Sequence, residues 1–189
     1  MRRTLSLCTG LLVLCLLTGC AEQNADAARY YGTSSRVAKE APMGPPVRIV
    51  IPRLKVDTVV DPVGQDADGN MDVPKSWDAA GWYEPGPKPG ETGNAVIAGH
   101  FDSDTGPAIF WNLRALKKGD TIMVSDAAGK TRVFAITDIQ EYDATDAPME
   151  DIFGPFDGKR LNLITCTGSW SETRKGYANR LVVYSELVS

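Results

Sequence analysis

The chain has 189 residues, with 20 Lys and Arg against 24 Asp and Glu and a formal net charge of -4. The basic residues are scattered rather than clustered, which excludes nucleic acid as a partner and leaves no phosphate-binding surface. With one histidine and four cysteines, chemistry that rests on these side chains is confined to a handful of positions.

The N-terminus reads as an export signal. Arg2 and Arg3 precede an apolar run from Leu5 to Leu17, closed by Leu17-Thr18-Gly19-Cys20, the form of a lipoprotein signal peptide over residues 1–19. A spanning helix needs about 20 apolar residues, and this run is shorter and broken by Thr9 and Gly10, so a permanent transmembrane anchor fits less well. The lipobox implies diacylglycerol on Cys20, and two acyl chains suffice for stable tethering at the membrane surface. The paired arginines leave Sec and Tat export both open. Residues 20–46, rich in Ala, Ser, Gly and Pro, read as a lipid-anchored flexible tether. Residues 47–189 then form one domain, long enough to bury a core.

Past the tether, short β-rich runs recur in chain order: VRIVI from Val47, VDTVVDPV from Val56, NAVIAG from Asn94, TIMV from Thr121, RVFAITDIQEY from Arg132, LNLITC from Leu161 and RLVVYSEL from Arg180. Several alternate apolar and polar residues, as half-buried strands do. Turn signals such as PGPKPGETG, DADGN and DAAGK lie between them. Helical patterning is confined to IFWNLRAL from Ile109 and PMEDIF from Pro148. The fold class is therefore mainly β: a closed or nearly closed barrel of seven or eight strands with two or three short helices. Asp66, Asp68, Asn70 and Asp72 alternate like the ligands of an EF-hand loop, but Met71 and Trp77 stand where such a loop needs glycine and glutamate. A hairpin turn, with Gly69 and Asn70 taking positive φ, is the better account, and no metal site is expected.

Export changes the cysteine arithmetic. Cys8 and Cys15 leave with the signal and Cys20 is taken by lipid, so Cys166 alone remains. Such a leftover thiol either pairs between chains, is kept reactive, or is a small buried hydrophobe. His100, the single histidine, follows the apolar run AVIAG; alone it could equally serve a turn. Cys166 also ends an apolar run, so a barrel that lays these strands close together would present thiol and imidazole at one rim, as nucleophilic cysteine catalysis requires. A fixed cationic donor for the oxyanion is then wanted. Arg180 opens the strand that SWSETRKGYAN folds back beside LNLITC, and Arg174 within that turn competes for the role.

At these residues the sequence resembles the sortases, and more narrowly the class F sortases of actinobacteria. The likeness rests on LITC followed by a variable turn and RLVVYSEL, on NAVIAGHFDSDTGPAIFWNLRALKKGD upstream, and on GWYEPG before the histidine; it covers nearly all of Val47 to Val188. It implies an eight-stranded sortase-type barrel and a cysteine transpeptidase that recognises a sorting motif of the Leu-Pro-x-Thr-Gly kind on surface proteins and passes the acyl group to an amine. Carried over, Cys166 attacks the Thr-Gly carbonyl, His100 protonates the departing amine and deprotonates the incoming one, Arg180 holds the oxyanion, and Thr165 lines the substrate groove. No cofactor is implied, and a monomer on the outer face of the membrane is expected. Sortases are more often held by an N-terminal transmembrane helix than by a lipobox, a departure that leaves the active site untouched. An L,D-transpeptidase keeps a histidine and glycine immediately around its cysteine, and TCTGSW has no histidine; a papain-like or NlpC/P60-like hydrolase has its histidine after the cysteine, whereas His100 precedes Cys166. A lipid-tethered β-domain that only binds, with Cys166 buried, is the reading from another class.

Overall fold

A computed structural model of the chain describes residues 41–188; the signal segment, Cys20 and most of the tether fall outside the described residues. The seven apolar runs and one further segment become strands: β1 (Pro46–Ile51), β2 (Val56–Val63), β3 (Ala80–Tyr83), β4 (Gly93–Gly99), β7 (Thr121–Asp126), β8 (Thr131–Asp143), β9 (Lys159–Ser171) and β10 (Gly176–Leu187). A two-residue ribbon, β5 (Asp102–Ser103) with β6 (Gly106–Pro107), stands apart. The eight longer strands close into a barrel in the order β1-β2-β3-β4-β9-β10-β8-β7, as the resemblance implied. Closure removes exposed sheet edges.

Side chains two apart share a face, so each strand sends one parity inward. Ile49 and Ile51, Ala95 and Ile97, Ile122 and Val124, Leu161 and Leu163, Leu181 and Val183 fill the barrel around Phe110 and Phe134. The opposite parity of three adjacent strands builds a second, external cluster, Val96, Val182 and Tyr184 with the partly buried Ile164, against which Ile152 of the single α-helix among the described residues packs. That helix, α1 (Met149–Phe153), is five residues long, too short to be stable alone. Burying Ile152 supplies about 1.5–3 kcal/mol towards holding it.

Two expectations need correction. IFWNLRAL is no α-helix: only Leu113–Ala115 form a 3₁₀ turn. Its buried residues Phe110, Leu113 and Leu116 recur every third position, the repeat of a 3₁₀ turn. The preceding backbone is spent on tertiary bonds, with Ile109 N–H donating to Trp77 O (3.0 Å) and Phe110 N–H to His100 O (2.9 Å). Phe110 approaches β4 so closely that a Cβ on Gly99 would stand 2.5 Å from its ring. Strand β3, in contrast, was not expected. Ala80, Gly81 and Trp82 are all buried, so the period-2 signal is missing, as in any strand covered on both faces.

The β9–β10 hairpin is also tighter than the sequence suggests. Both strands run further than their apolar segments, and only residues 172–175 turn, with Lys175 at φ 51°. The DADGN segment is a hairpin turn as expected. Gln65 bridges Met71, the Asp66 carboxylate accepts the Asp68 and Asn70 N–H groups at 2.9 Å, and Gly69 takes φ 83°; Asn70 is not among the positive-φ residues.

Candidate active site

Strand parity and register decide where the candidate residues meet. Strand β4 runs parallel to β9 with Ala98 opposite Ile164; two residues further in each segment stand His100, one residue past the end of β4, and Cys166 within β9. On the other side of β9, Cys166 pairs directly with Arg180 of β10. Their parity is that of Val96, Ile164 and Val182, which belong to the external cluster. Imidazole, thiol and guanidinium therefore occupy one rung across three neighbouring strands, on the barrel's outer face, with strands about 4.8 Å apart. Residues 66 positions apart in the chain are brought to one rim because the barrel pairs β4 with β9 without a strand between them.

Each group is held by neighbours the sequence did not disclose. His100 Nε2–H donates to Pro74 O (2.8 Å), which leaves Nδ1 as the nitrogen free to exchange protons. Trp77 covers the ring, with centroids 4.3 Å apart. Arg180 spends only Nη1, on Tyr177 O (3.3 Å) and Asn179 O (3.0 Å), and makes no ion pair among the described residues; its other N–H groups remain to meet an anion. Arg174 is exposed in the 172–175 turn, its backbone N–H donating to Ser171 Oγ (3.3 Å), and its charge acts on Asp143. It is not on the rung.

Cys166 is a free, half-buried thiol. Burial pushes it above the ordinary thiol value; the Arg180 charge pulls it down and the Asp102 charge pushes it up again. A raised value means less thiolate at neutral pH than an ordinary cysteine has. Alkylation of Cys166 by iodoacetamide is accordingly expected to rise with pH to a midpoint above that of a free cysteine. Arg180→Gln, by removing the charge that favours thiolate, should move that midpoint further up, and a downward move would contradict the assignment of their proximity.

A cavity of about 410 Å³ opens beside the rung, with His100, Cys166 and Arg180 all on its wall. One side is α1, through Met149, Ile152 and Phe153; the other is the segment from Asn70 to Val73; Ala98 and Ile164 form its floor. Two buried asparagines, Asn94 and Asn162, fasten the α1 side. Asn162 Nδ2 donates to Ile152 O (2.8 Å) and Asn94 Nδ2 to Gly154 O (2.9 Å), satisfying carbonyls that a helix end leaves without partners. The asparagines that open NAVIAG and interrupt LNLITC were the available signal. Thr165 belongs to the same wall, but its side chain is only 3% exposed. Its hydroxyl donates to Gly99 O (2.8 Å), locking β9 to the end of β4. No sequence signal marked Trp77 or the Pro74 carbonyl.

No group of three or more His, Cys, Asp or Glu that could hold a metal occurs among the described residues, and none of their helices is long and apolar enough to cross a membrane. Cys20 lies outside them.

Comparison with known proteins agrees with this geometry. The family model described as the Sortase domain matches residues 49–188. Sortase C-1 from Actinomyces oris is similar in structure with a TM-score of 0.61 and 26% identity, over 76% of this chain and 71% of that one. Sortase A from Corynebacterium diphtheriae (TM-score 0.58, 22% identity) is matched over 79% of this chain and 63% of its own length. Sortase A from Listeria monocytogenes (0.58, 22%) is matched over 76% of this chain and 86% of its own. Among curated proteins none matches the chain by sequence.

Proposed function

The chain belongs to the sortase family, whose members are cysteine transpeptidases, and from that premise we propose that it cleaves a Leu-Pro-x-Thr-Gly-like sorting signal with Cys166, His100 and Arg180. The observation that carries the reading is the shared rung of these three residues at the wall of a groove with an apolar floor and α1 side. The apolar part of a sorting motif fits between α1 and residues 70–73, and its scissile carbonyl then lies over Cys166. The thiol, kept neutral by its burial, gives its proton to His100 Nδ1 as sulfur bonds to the carbonyl carbon. The unspent N–H groups of Arg180 face the oxygen on which charge develops. The imidazolium then protonates the departing amine, leaving a thioacyl enzyme. An incoming amine reverses the sequence: its proton passes to His100, nitrogen bonds to the carbonyl carbon, and the carbon–sulfur bond breaks.

The class F assignment rests on the sequence segments around His100 and Cys166. Sortases work outside the cytoplasmic membrane, and the lipobox supports a monomer tethered to its outer face through lipid on Cys20, with residues 20–46 spanning from lipid to the catalytic domain at 47–189. Surface proteins that bear the sorting signal and an amine on the peptidoglycan bridge or a lysine are its partners. Presented with a panel of Leu-Pro-type pentapeptides, the purified protein should cleave a subset before glycine and, with added amine, form the new amide in place of the free acid. Uncleaved peptides throughout the panel would refute the substrate assignment.

A further inference from the structure

On the side of Cys166 away from the groove, β9 continues through Thr167 to Trp170, and Trp170 stands opposite Tyr177 of β10. The Tyr177 hydroxyl donates to Asp102 Oδ2, and Phe101 meets the Tyr177 ring edge to face at 5.5 Å. None of Phe101, Asp102, Trp170 and Tyr177 lines the groove. We infer that Asp102, seated on Tyr177, is the binding group for the ammonium of the acceptor amine, which approaches the thioacyl bond from this second side. The inference rests on the sortase reading above.

Charge supports it. Asp102 is half-buried, accepts one hydrogen bond from a neutral phenol, and has no cationic partner among the described residues. Its negative charge works against the thiolate at Cys166 and pushes the Tyr177 phenol up to about 12. A carboxylate at this place therefore opposes the first half of the reaction. What it favours is a cation beside the sulfur, and the cation the second half needs is an ammonium. Orienting His100 is not its task, because the ring is already tethered to Pro74 O and makes no bond to Asp102 among the described residues. The half-buried ring of Tyr177 adds a face that suits an ammonium and its neighbouring carbons, whereas the buried Phe101 ring is already taken by Trp111 and Arg114. In the transfer step the bound ammonium yields one proton through His100 to solvent. Its nitrogen then bonds to the acyl carbon, the carbon–sulfur bond breaks, and the second proton goes to the departing thiolate. Amide and thiol are the products.

The test uses two acceptors that differ in charge at neutral pH: diglycine, whose amine is cationic, and hydroxylamine, which is neutral. Both compete for the thioacyl enzyme formed from one cleavable peptide. Asp102→Asn keeps an oxygen for the Tyr177 hydroxyl and removes the charge; the ratio of diglycine transfer to hydroxylamine transfer should fall about tenfold, mostly through the KM for diglycine. Asp102→Ser, a second uncharged variant, should give the same fall if the first folds poorly. Tyr177→Phe, which leaves the carboxylate in place, should keep a higher ratio than either. An unchanged ratio in the uncharged variants overturns the inference while leaving peptide cleavage, and so the parent reading, intact. Absence of peptide cleavage in the wild-type protein would instead remove the parent reading and this one with it.

Discussion

Cys166→Ala is expected to abolish both cleavage and transfer, lowering single-turnover cleavage by a factor on the order of 10⁴–10⁶, while the fold survives. The thiol is half-buried at the end of the apolar part of β9 on the barrel's outer face, outside both hydrophobic clusters. Removing its sulfur leaves no large cavity, so the thermal midpoint should move little. His100→Ala should lower kcat by about 10²–10⁴, the range for a general acid and base. That variant also loses the ring under Trp77 and the bond to Pro74 O, which loosens the segment carrying Asp72 and Val73 on the groove wall. A modest rise in KM is thus part of the expectation, and the fall in kcat is what reports proton transfer. Mass spectrometry of the enzyme with substrate should show a thioacyl adduct in the wild type and none in Cys166→Ala. Persistent cleavage by a folded Cys166→Ala protein would end the covalent mechanism.

The second large effect separates two arginines. Arg180→Ala should lower kcat by about 10²–10³ with KM nearly unchanged, because the lost donor meets charge that exists only as the carbonyl is attacked. Arg174→Ala should retain activity within about twofold, since that side chain is exposed in the 172–175 turn and its charge acts on Asp143. Arg180→Lys should rescue little: an ammonium bonded to the Tyr177 and Asn179 carbonyls has one N–H left, on a flexible stem, where the guanidinium keeps several in a rigid fork. Loss of activity on replacing Arg174, with Arg180→Ala left active, would transfer the oxyanion role to the turn.

Seven of the eight barrel strands were visible as apolar alternation, because a half-buried strand writes its two faces into every second residue. The positions of His100, Cys166 and Arg180 at the ends of apolar runs came from the same pattern, although β9 and β10 continue past Cys166 and start before Arg180. Where the pattern breaks, the sequence was silent or misleading. Ala80 to Trp82 is covered on both faces and shows no alternation, while the threefold repeat of Phe110, Leu113 and Leu116 resembled an α-helix until its backbone bonds to Trp77 and His100 were seen.

The chain alone thus determined seven of the eight barrel strands, their parity and the order histidine, cysteine, arginine, all of which depend on residues a few positions apart. Tertiary structure decided which strands are neighbours, and with it that β4 lies parallel beside β9 so that His100 reaches the rung of Cys166 and Arg180. It also decided that α1 walls the groove, that Trp77 and Pro74 hold the imidazole, and that Asp102 sits on Tyr177. These contacts join segments tens of residues apart through the closure of one barrel, and no local periodicity carries the identity of a partner that distant.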